Sequence, residues 1–327
     1  MFDMANDSSL FRTAKELKDA GFILTKNVFL HGAERYLPLY EAKMAHLFNH
    51  RFGTYDGQTQ AQANQGKLPE LSDARLEDPS DVAQPQYWVA AREVDAKLAG
   101  RDAEWLLAWR RITGTEKART IIASALPRAG VGDSAFLMFP QTSPEFVIAA
   151  LSSFALDYLA RQKIAGTNAS YFLVEQLPIP PPEWVRQPAT WADDTLNDWF
   201  LPRLLELVYT STDMEPFARE LDHHGPPFRW IPERRALLRA ELDAAFFHLY
   251  GLAEADVDYV MDTFPIVKRR DEEKFGHYRT KALILDVYRR MAEATSTGAP
   301  YETTLDPPPA DPRVAHPSPS RDVVVDV

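Results

Sequence analysis

The chain has 327 residues, 45% of them hydrophobic and 11% aromatic, enough to bury more than one core and too apolar for a fibrous chain. It has no cysteine, which excludes disulfide frameworks, thiolate zinc sites and cysteine nucleophiles. A formal net charge of -11 opposes a uniformly basic nucleic-acid surface. The lack of either a signal-like N-terminus or an apolar run of about 18–20 residues predicts a cytoplasmic chain with no membrane partner.

In chain order, short apolar runs at 22–24 and 27–30, broken by Gly21 and Gly32, predict a small mixed sheet. Residues 54–86, rich in Gln, Asp and Pro, predict a long surface loop, with order resuming at Tyr87, Trp88 and Val89. A tryptophan-rich stretch, Trp105 to Trp109, leads into Arg110 and Arg111 and is followed by strand-like runs at 120–126 and 135–139. Phe146, Ile148, Leu151, Phe154, Leu156 and Leu159 predict one buried helix over 145–162. The prolines of 176–183 force extended backbone and end this α/β region, which places a boundary at 182. Beyond it the chain reads as helical over 233–250, stopped by Gly251, over 256–264, ended by Pro265, and over 271–294. Seven prolines from 299 onward predict disorder. The expected fold is a mixed α/β domain (1–182), a mainly α-helical domain (183–298) and a disordered Pro-rich tail (299–327).

The charge is unevenly spread. Residues 1–182 carry 19 basic and 21 acidic side chains and 183–327 carry 17 and 26, so the acidity is C-terminal. Within 105–163, seven basic residues face four acidic ones, a modest basic island. Arg110, Arg111, Arg119, Arg128, Arg161 and Lys163 belong to it, and arginines of this kind bond phosphates or read guanine edges. Solvated surface charge is the competing reading.

Enzyme motifs are missing. Amino-methylation of adenine uses a polar residue, two prolines and an aromatic ring to hold a flipped base. Gly225-Pro226-Pro227-Phe228 has the ring without the acceptor, and Asp306-Pro307-Pro308-Pro309 has the acceptor without the ring. Gly130-Val131-Gly132 is too short for a cofactor loop. His46 and His50 have helical spacing but Leu47 where a zinc protease needs Glu, and His223 and His224 read as loop. Glu272-Glu273-Lys274 lacks the upstream Asp of a nuclease. No catalytic residue, metal ligand or bound cofactor is expected.

Several strings, taken in order, resemble one family. They are 6–8 (Asn-Asp-Ser), 10–13 (Leu-Phe-Arg-Thr), 36–44 (Tyr-Leu-Pro-Leu-Tyr-Glu-Ala-Lys-Met), His50-Arg51-Phe52 with Thr54 and Tyr55, and 87–89 (Tyr-Trp-Val). The series continues through 119–127 (Arg-Thr-Ile-Ile-Ala-Ser-Ala-Leu-Pro), 160–163 (Ala-Arg-Gln-Lys), Gly166 and Thr167, Phe172 and 176–180 (Gln-Leu-Pro-Ile-Pro). It closes with 238–243, 249–252, 262–266 and 278–281. Together these resemble the C-terminal target-recognition region of Eco57I-like, type IIG adenine-specific DNA methyltransferases of restriction-modification and phage-defence systems. The chain departs from that pattern at Ala42, where the family often has Gly, and at Asn168, where it often has His.

The resemblance implies a sequence-recognition module for double-stranded DNA, with Lys43, Arg51, Arg110, Arg111, Arg119, Arg128, Arg161, Lys163, Thr167 and Asn168 as candidate contacts. It implies that methyl transfer from S-adenosylmethionine to adenine N6 is performed by a catalytic methyltransferase subunit or an upstream segment, since the family's cofactor fold and catalytic tetrapeptide precede the region matched here. The alternatives are a protein-interaction component of a defence system that does not bind DNA, a magnesium-dependent nuclease, and a degenerate fragment.

Overall fold

The computed structural model describes residues 1–114, 117–164 and 166–318. Its strands are β1 (Phe11–Arg12), β2 (Ile23–Thr25), β3 (Val28–His31), β4 (Glu34–Tyr40), β5 (Trp88–Ala90), β6 (Trp105–Arg110), β7 (Ala123–Pro127), β8 (Gly130–Val131) and β9 (Ala135–Met138). The apolar runs at 22–24, 27–30, 120–126 and 135–139 thus fall on β2, β3, β7 and β9. Two-residue turns join β2 to β3 and β3 to β4, each with a left-handed residue first, Lys26 and then Gly32. Such turns match the twist of the strands, and glycine takes that conformation without a Cβ clash.

Strands β1 to β5 form an antiparallel sheet in the order β1-β5-β4-β3-β2, and β8 continues it in parallel along the end of β4. At Gly130 a Cβ would lie 2.6 Å from Val89 Cγ1, so glycine alone permits this crossing. A second sheet, β7-β6-β9, lies between two cores. Along β6, Trp105, Leu107 and Trp109 join the core shared with the helices, while Leu106 and Ala108 join the core of the first sheet. This is the two-residue alternation of a strand buried on both faces.

Helices α1 (Ala14–Asp19), α2 (Gln60–Asn64), α3 (Asp73–Glu77) and α4 (Ala91–Leu98) decorate the first part. The surface loop expected over 54–86 is a folded segment: it contains α2 and α3 and buries Leu71, Leu76, Val82 and Ala83. Its anchor is the Arg51 guanidinium, which donates to the carbonyls of Leu76, Asp78 and Asp81.

The single helix expected over 145–162 is two, α5 (Pro144–Ser152) and α6 (Phe154–Lys163). Ser153 is extended and its hydroxyl caps the Leu156 amide, while Asp243 captures the Phe154 amide. After α7 (Tyr171–Val174) come α8 (Leu196–Val208), α9 (Glu215–Glu220), α10 (Pro232–Leu249), α11 (Glu254–Asp262), α12 (Pro265–Phe275) and α13 (Arg279–Thr297). The run expected at 271–294 is cut at Gly276, whose φ of 77° ends α12. Pro265 opens α12 at a position where no helical N–H is needed.

One apolar core runs across position 182, joining β6, β7, α5 and α6 to α8, α10, α11 and α13. Residues 299–318 are packed against it and are not a disordered tail. Tyr301, Leu305 and Val314 are buried, the Arg229 amide donates to the Val314 carbonyl, and Phe228 bridges Ala315. The prolines here suit an extended strap that needs few amide donors, and three apolar side chains suffice to pin it. Residues 319–327 lie outside the described residues. Among the described residues no helix is long and apolar enough to cross a membrane.

Candidate nucleic-acid interface and a cationic cavity

The arginine-rich set divides by what its donors reach. Arg51 is fully buried, giving bonds of 2.7–2.9 Å to the carbonyls of Leu76, Asp78, Asp81 and Thr210. Arg119 is buried against Asp157 at 3.0 Å and the Ser152 carbonyl at 2.6 Å, with Phe154 beneath its plane. Arg161 donates to the carbonyls of Thr263, Lys117 and Ala118. Arg110 spends two donors on the Ala45 carbonyl, and burial pulls its pKa down to about 10. These four side chains hold protein segments together. Their donors point inward, which corrects the expectation that they face a duplex.

Lys43 sits beside Glu41 and over the Tyr55 ring, and Arg128 pairs with Asp95 at 2.7 Å and the Ala103 carbonyl. Of the remaining four candidates, Arg111, Thr167 and Asn168 are brought together. The Thr113 amide donates to the Thr167 carbonyl, the Ala169 amide donates to the Arg111 carbonyl, and Ile112 bridges Asn168. Segments 111–113 and 167–169 therefore form one rim carrying Arg111, Thr167 and Asn168, with Lys163 in the last turn of α6 just before it. Arg111 retains a loose 3.4 Å pair with Asp133, and Lys163, Thr167 and Asn168 are exposed.

Apolar and aromatic groups share this rim. Ile112 is 51% exposed and Phe172 72% exposed. Tyr171 stacks on Phe136 and meets Trp109 edge-on, which fixes the start of α7 against β6 and β9. Sequence reasoning gives Thr167 and Asn168 as candidate contacts and Phe172 only as part of the resemblance, and it does not single out Ile112 or Tyr171. A strand-like 111–113 opposite a polar Gly-Thr-Asn turn was the available signal.

A cavity of about 390 Å³ opens between the 46–48 segment, the α5–α6 junction and helices α10, α12 and α13. Its walls include Arg119, Arg235, Arg239, Arg270, Lys274 and Arg279 against Asp73, Glu233, Asp243 and Asp271. Burial and the cations Arg110, Arg239, Arg119 and Arg270 hold the His46 imidazole down at about 3. The lining thus carries more basic than acidic side chains, and His46 beside them is neutral. None of α10, α12 or α13 had been assigned a ligand-facing role from sequence, because helical arginines read as solvated surface.

Burial pushes the Asp243 carboxyl up to about 6, against the pull of Arg119, the Phe154 amide and Arg239. Because the folded value lies above the unfolded one, folding takes up a proton between about pH 4 and 6. Asp243 thus lowers stability as pH rises through that window. Asp243→Asn keeps an acceptor for Phe154, and its stability relative to wild type is expected to rise by up to about 3 kcal/mol from pH 4 to pH 7. Urea unfolding of both proteins across that range checks this; a pH-independent difference would contradict it.

A second buried polar cluster joins distant segments. His50 Nε2 lies 3.0 Å from Asp213 Oδ1 and 3.1 Å from Ser211 Oγ, and Ser211 also bonds Asp213. The residue types are those of a hydrolytic triad, but one ring nitrogen meets both partners and Ser211 is fully buried, so no substrate reaches the hydroxyl. Although burial favours the protonated acid, His50, Ser211 and Arg51 together hold the Asp213 carboxyl at about 2. The near-miss methylation motifs are spent on packing: the aromatic ring of the first is internal, and the second lies in the strap held by Arg234. Phe228 is fully buried, and the Pro307 carbonyl accepts from Arg234. Among the described residues no group of three or more His, Asp or Glu is placed to hold a metal ion.

No family model, curated protein or solved structure matches the chain.

Proposed function

We propose that the chain is the DNA sequence-recognition module of an adenine-N6 methyltransferase or restriction-modification system. In this reading residues 1–182 engage the duplex and the helical part, 183–298, supports them. Methyl transfer from S-adenosylmethionine belongs to a separate catalytic subunit or segment. The observation that carries the reading is the pairing of 111–113 with 167–169. It gathers a guanidinium, an amide side chain, a hydroxyl and a nearby lysine on one exposed rim beside Ile112 and Phe172. Arg and Asn are the side chains that read guanine and adenine edges bidentately, Lys and Thr suit phosphate oxygens, and exposed apolar groups suit the thymine methyl.

The net charge of -11 does not oppose this reading, because the candidates lie on the less acidic half. The test is duplex affinity measured against salt. Lys163→Ala is expected to lower the salt slope by about 1 with little change in sequence preference, and Arg111→Ala to cost about 1–3 kcal/mol on the preferred sequence. Neither side chain is part of a core, so both variants keep the wild-type fold. Unchanged affinity and slope in the double variant would overturn the assignment, and co-purification of a protein partner without duplex binding would favour an interaction component instead.

A further inference from the structure

The cavity beside α10 is not needed by the rim that carries the proposed DNA contacts, and its chemistry is distinct. Its carboxylates are already engaged: Glu233 with Arg279, Asp73 with the Trp230 indole N–H, Asp271 with the Thr280 amide and Asp243 with the Phe154 amide. Several of its cations are not. Among the described residues Arg239, Arg270 and Lys274 have no carboxylate or carbonyl partner. The Nε of Arg239 is enclosed without an acceptor, and so is that of Arg235, which is 1% exposed and stacked on Trp230 at 3.6 Å. The Ser152 hydroxyl, also on the wall and 4% exposed, has no partner either.

Gathering cations with unfilled donors in a partly enclosed space is unfavourable unless an anion completes them. The remaining wall is apolar, with Leu47, Phe48, Val267, Leu283 and Ile284. A volume of about 390 Å³ exceeds what a bare inorganic anion fills and falls in the range of small-molecule sites. An occupant therefore needs an anionic end for the arginines and a body that packs against these apolar side chains.

We propose that this cavity binds a nucleotide through its phosphate, with Arg239, Arg270 and Lys274 supplying the charge and the Ser152 hydroxyl and Arg235 Nε supplying hydrogen bonds. The phosphate comes either from a free mononucleotide or from a nucleotide within a DNA strand. Arg239 is the central donor, because it lies deepest among the unpaired cations. Asp243, beside it, sets a limit: as a carboxylate it repels the phosphate, so Asp243→Asn strengthens binding at neutral pH.

The probe is adenosine 5′-monophosphate, titrated into the full chain by calorimetry with adenosine as the uncharged control. Wild type is expected to bind the monophosphate and not adenosine, and Arg239→Gln to weaken binding about tenfold, the loss of one charge-assisted contact. Arg270→Ala with Lys274→Ala provides a variant at exposed helix positions that keeps the fold, and a loss of fivefold or more, on the order of one such contact, is expected there as well. Displacement of the monophosphate by an unlabelled duplex assigns the phosphate to DNA; retention assigns it to a free nucleotide. The proposal is overturned if neither variant loses affinity for monophosphate or duplex, or if adenosine binds as well as its phosphate. Rim variants at Arg111 and Lys163 leave monophosphate binding intact, so failure of the cavity and failure of the DNA reading give different results.

Discussion

Replacing Arg51 with alanine is expected to remove on the order of 3–5 kcal/mol of folding stability and to leave a chain with a lowered, broadened unfolding transition. The guanidinium is fully buried and makes four bonds to backbone carbonyls, of Leu76, Asp78, Asp81 and Thr210, and one to the Thr210 hydroxyl. Removing it strands those acceptors away from water, each at about 1–3 kcal/mol before relaxation, and opens a cavity. It ties the 54–86 segment to the start of the second polar cluster at Thr210 to Asp213, beside the bond from the Thr212 amide to the Pro79 carbonyl. Loss of the tie also removes one of the cations that hold Asp213 ionised. Arg51→Lys retains the charge but not the planar fork, and is expected to recover only part of the loss. Thermal and urea unfolding measure the effect. A fully stable Arg51→Ala protein with weakened duplex binding would instead make Arg51 a DNA contact.

The second large effect is expected at Asp157. Its carboxylate is fully buried and accepts from the Thr120 and Ile121 amides and from Arg119 Nε, with Arg161 at 3.8 Å. Asp157→Ala leaves two amides and a guanidinium without their acceptor in the interior, again about 3–5 kcal/mol. Asp157→Asn, which keeps one oxygen in place, costs less. The site lies where β7 begins and where Arg161 holds the carbonyls of Lys117 and Ala118. Amide hydrogen exchange is therefore expected to rise first at 117–123. Uniform exchange across the chain, or wild-type stability in Asp157→Ala, would contradict this role.

Much of the fold was legible because apolar spacing reports which face is buried. The runs at β3, β7 and β9 and the helix α10 follow it directly, whereas β2 leaves Ile23 exposed. The spacing failed where polar contacts override it. Phe146 to Leu159 is continuous in period, yet the helix breaks at Ser153, a local N-cap residue, where the Phe154 amide is captured by Asp243, a contact that no local pattern encodes. The 54–86 segment has few large apolar residues and is ordered by polar ties, from the Arg51 guanidinium to its carbonyls and from Asp73 and Glu77 to Trp230 and Arg229. The prolines of 299–318 suggest disorder by composition, but Tyr301, Leu305 and Val314 pin an extended strap.

The candidate site was legible only in part for a related reason. Arginine's donors seek oxygen, and a carbonyl satisfies them as well as a phosphate does. Sequence alone could not separate Arg51, Arg110, Arg119 and Arg161, which bind their own chain, from Arg111, which keeps only one loose partner. Burial of the partner carbonyls makes that distinction, and it depends on tertiary packing. The cavity was invisible for the same reason: Arg239 and Arg270 lie on different helices, and only their docking makes them neighbours.

Recognition of a particular DNA sequence is tested most directly by selection from a pool of duplexes with a randomised centre. The chain is predicted to retain a subset sharing one adenine-containing sequence, with enrichment at the read position reduced by Arg111→Ala and overall retention reduced by Lys163→Ala. Retention without enrichment of any sequence, or no retention of duplex at low salt, would contradict it.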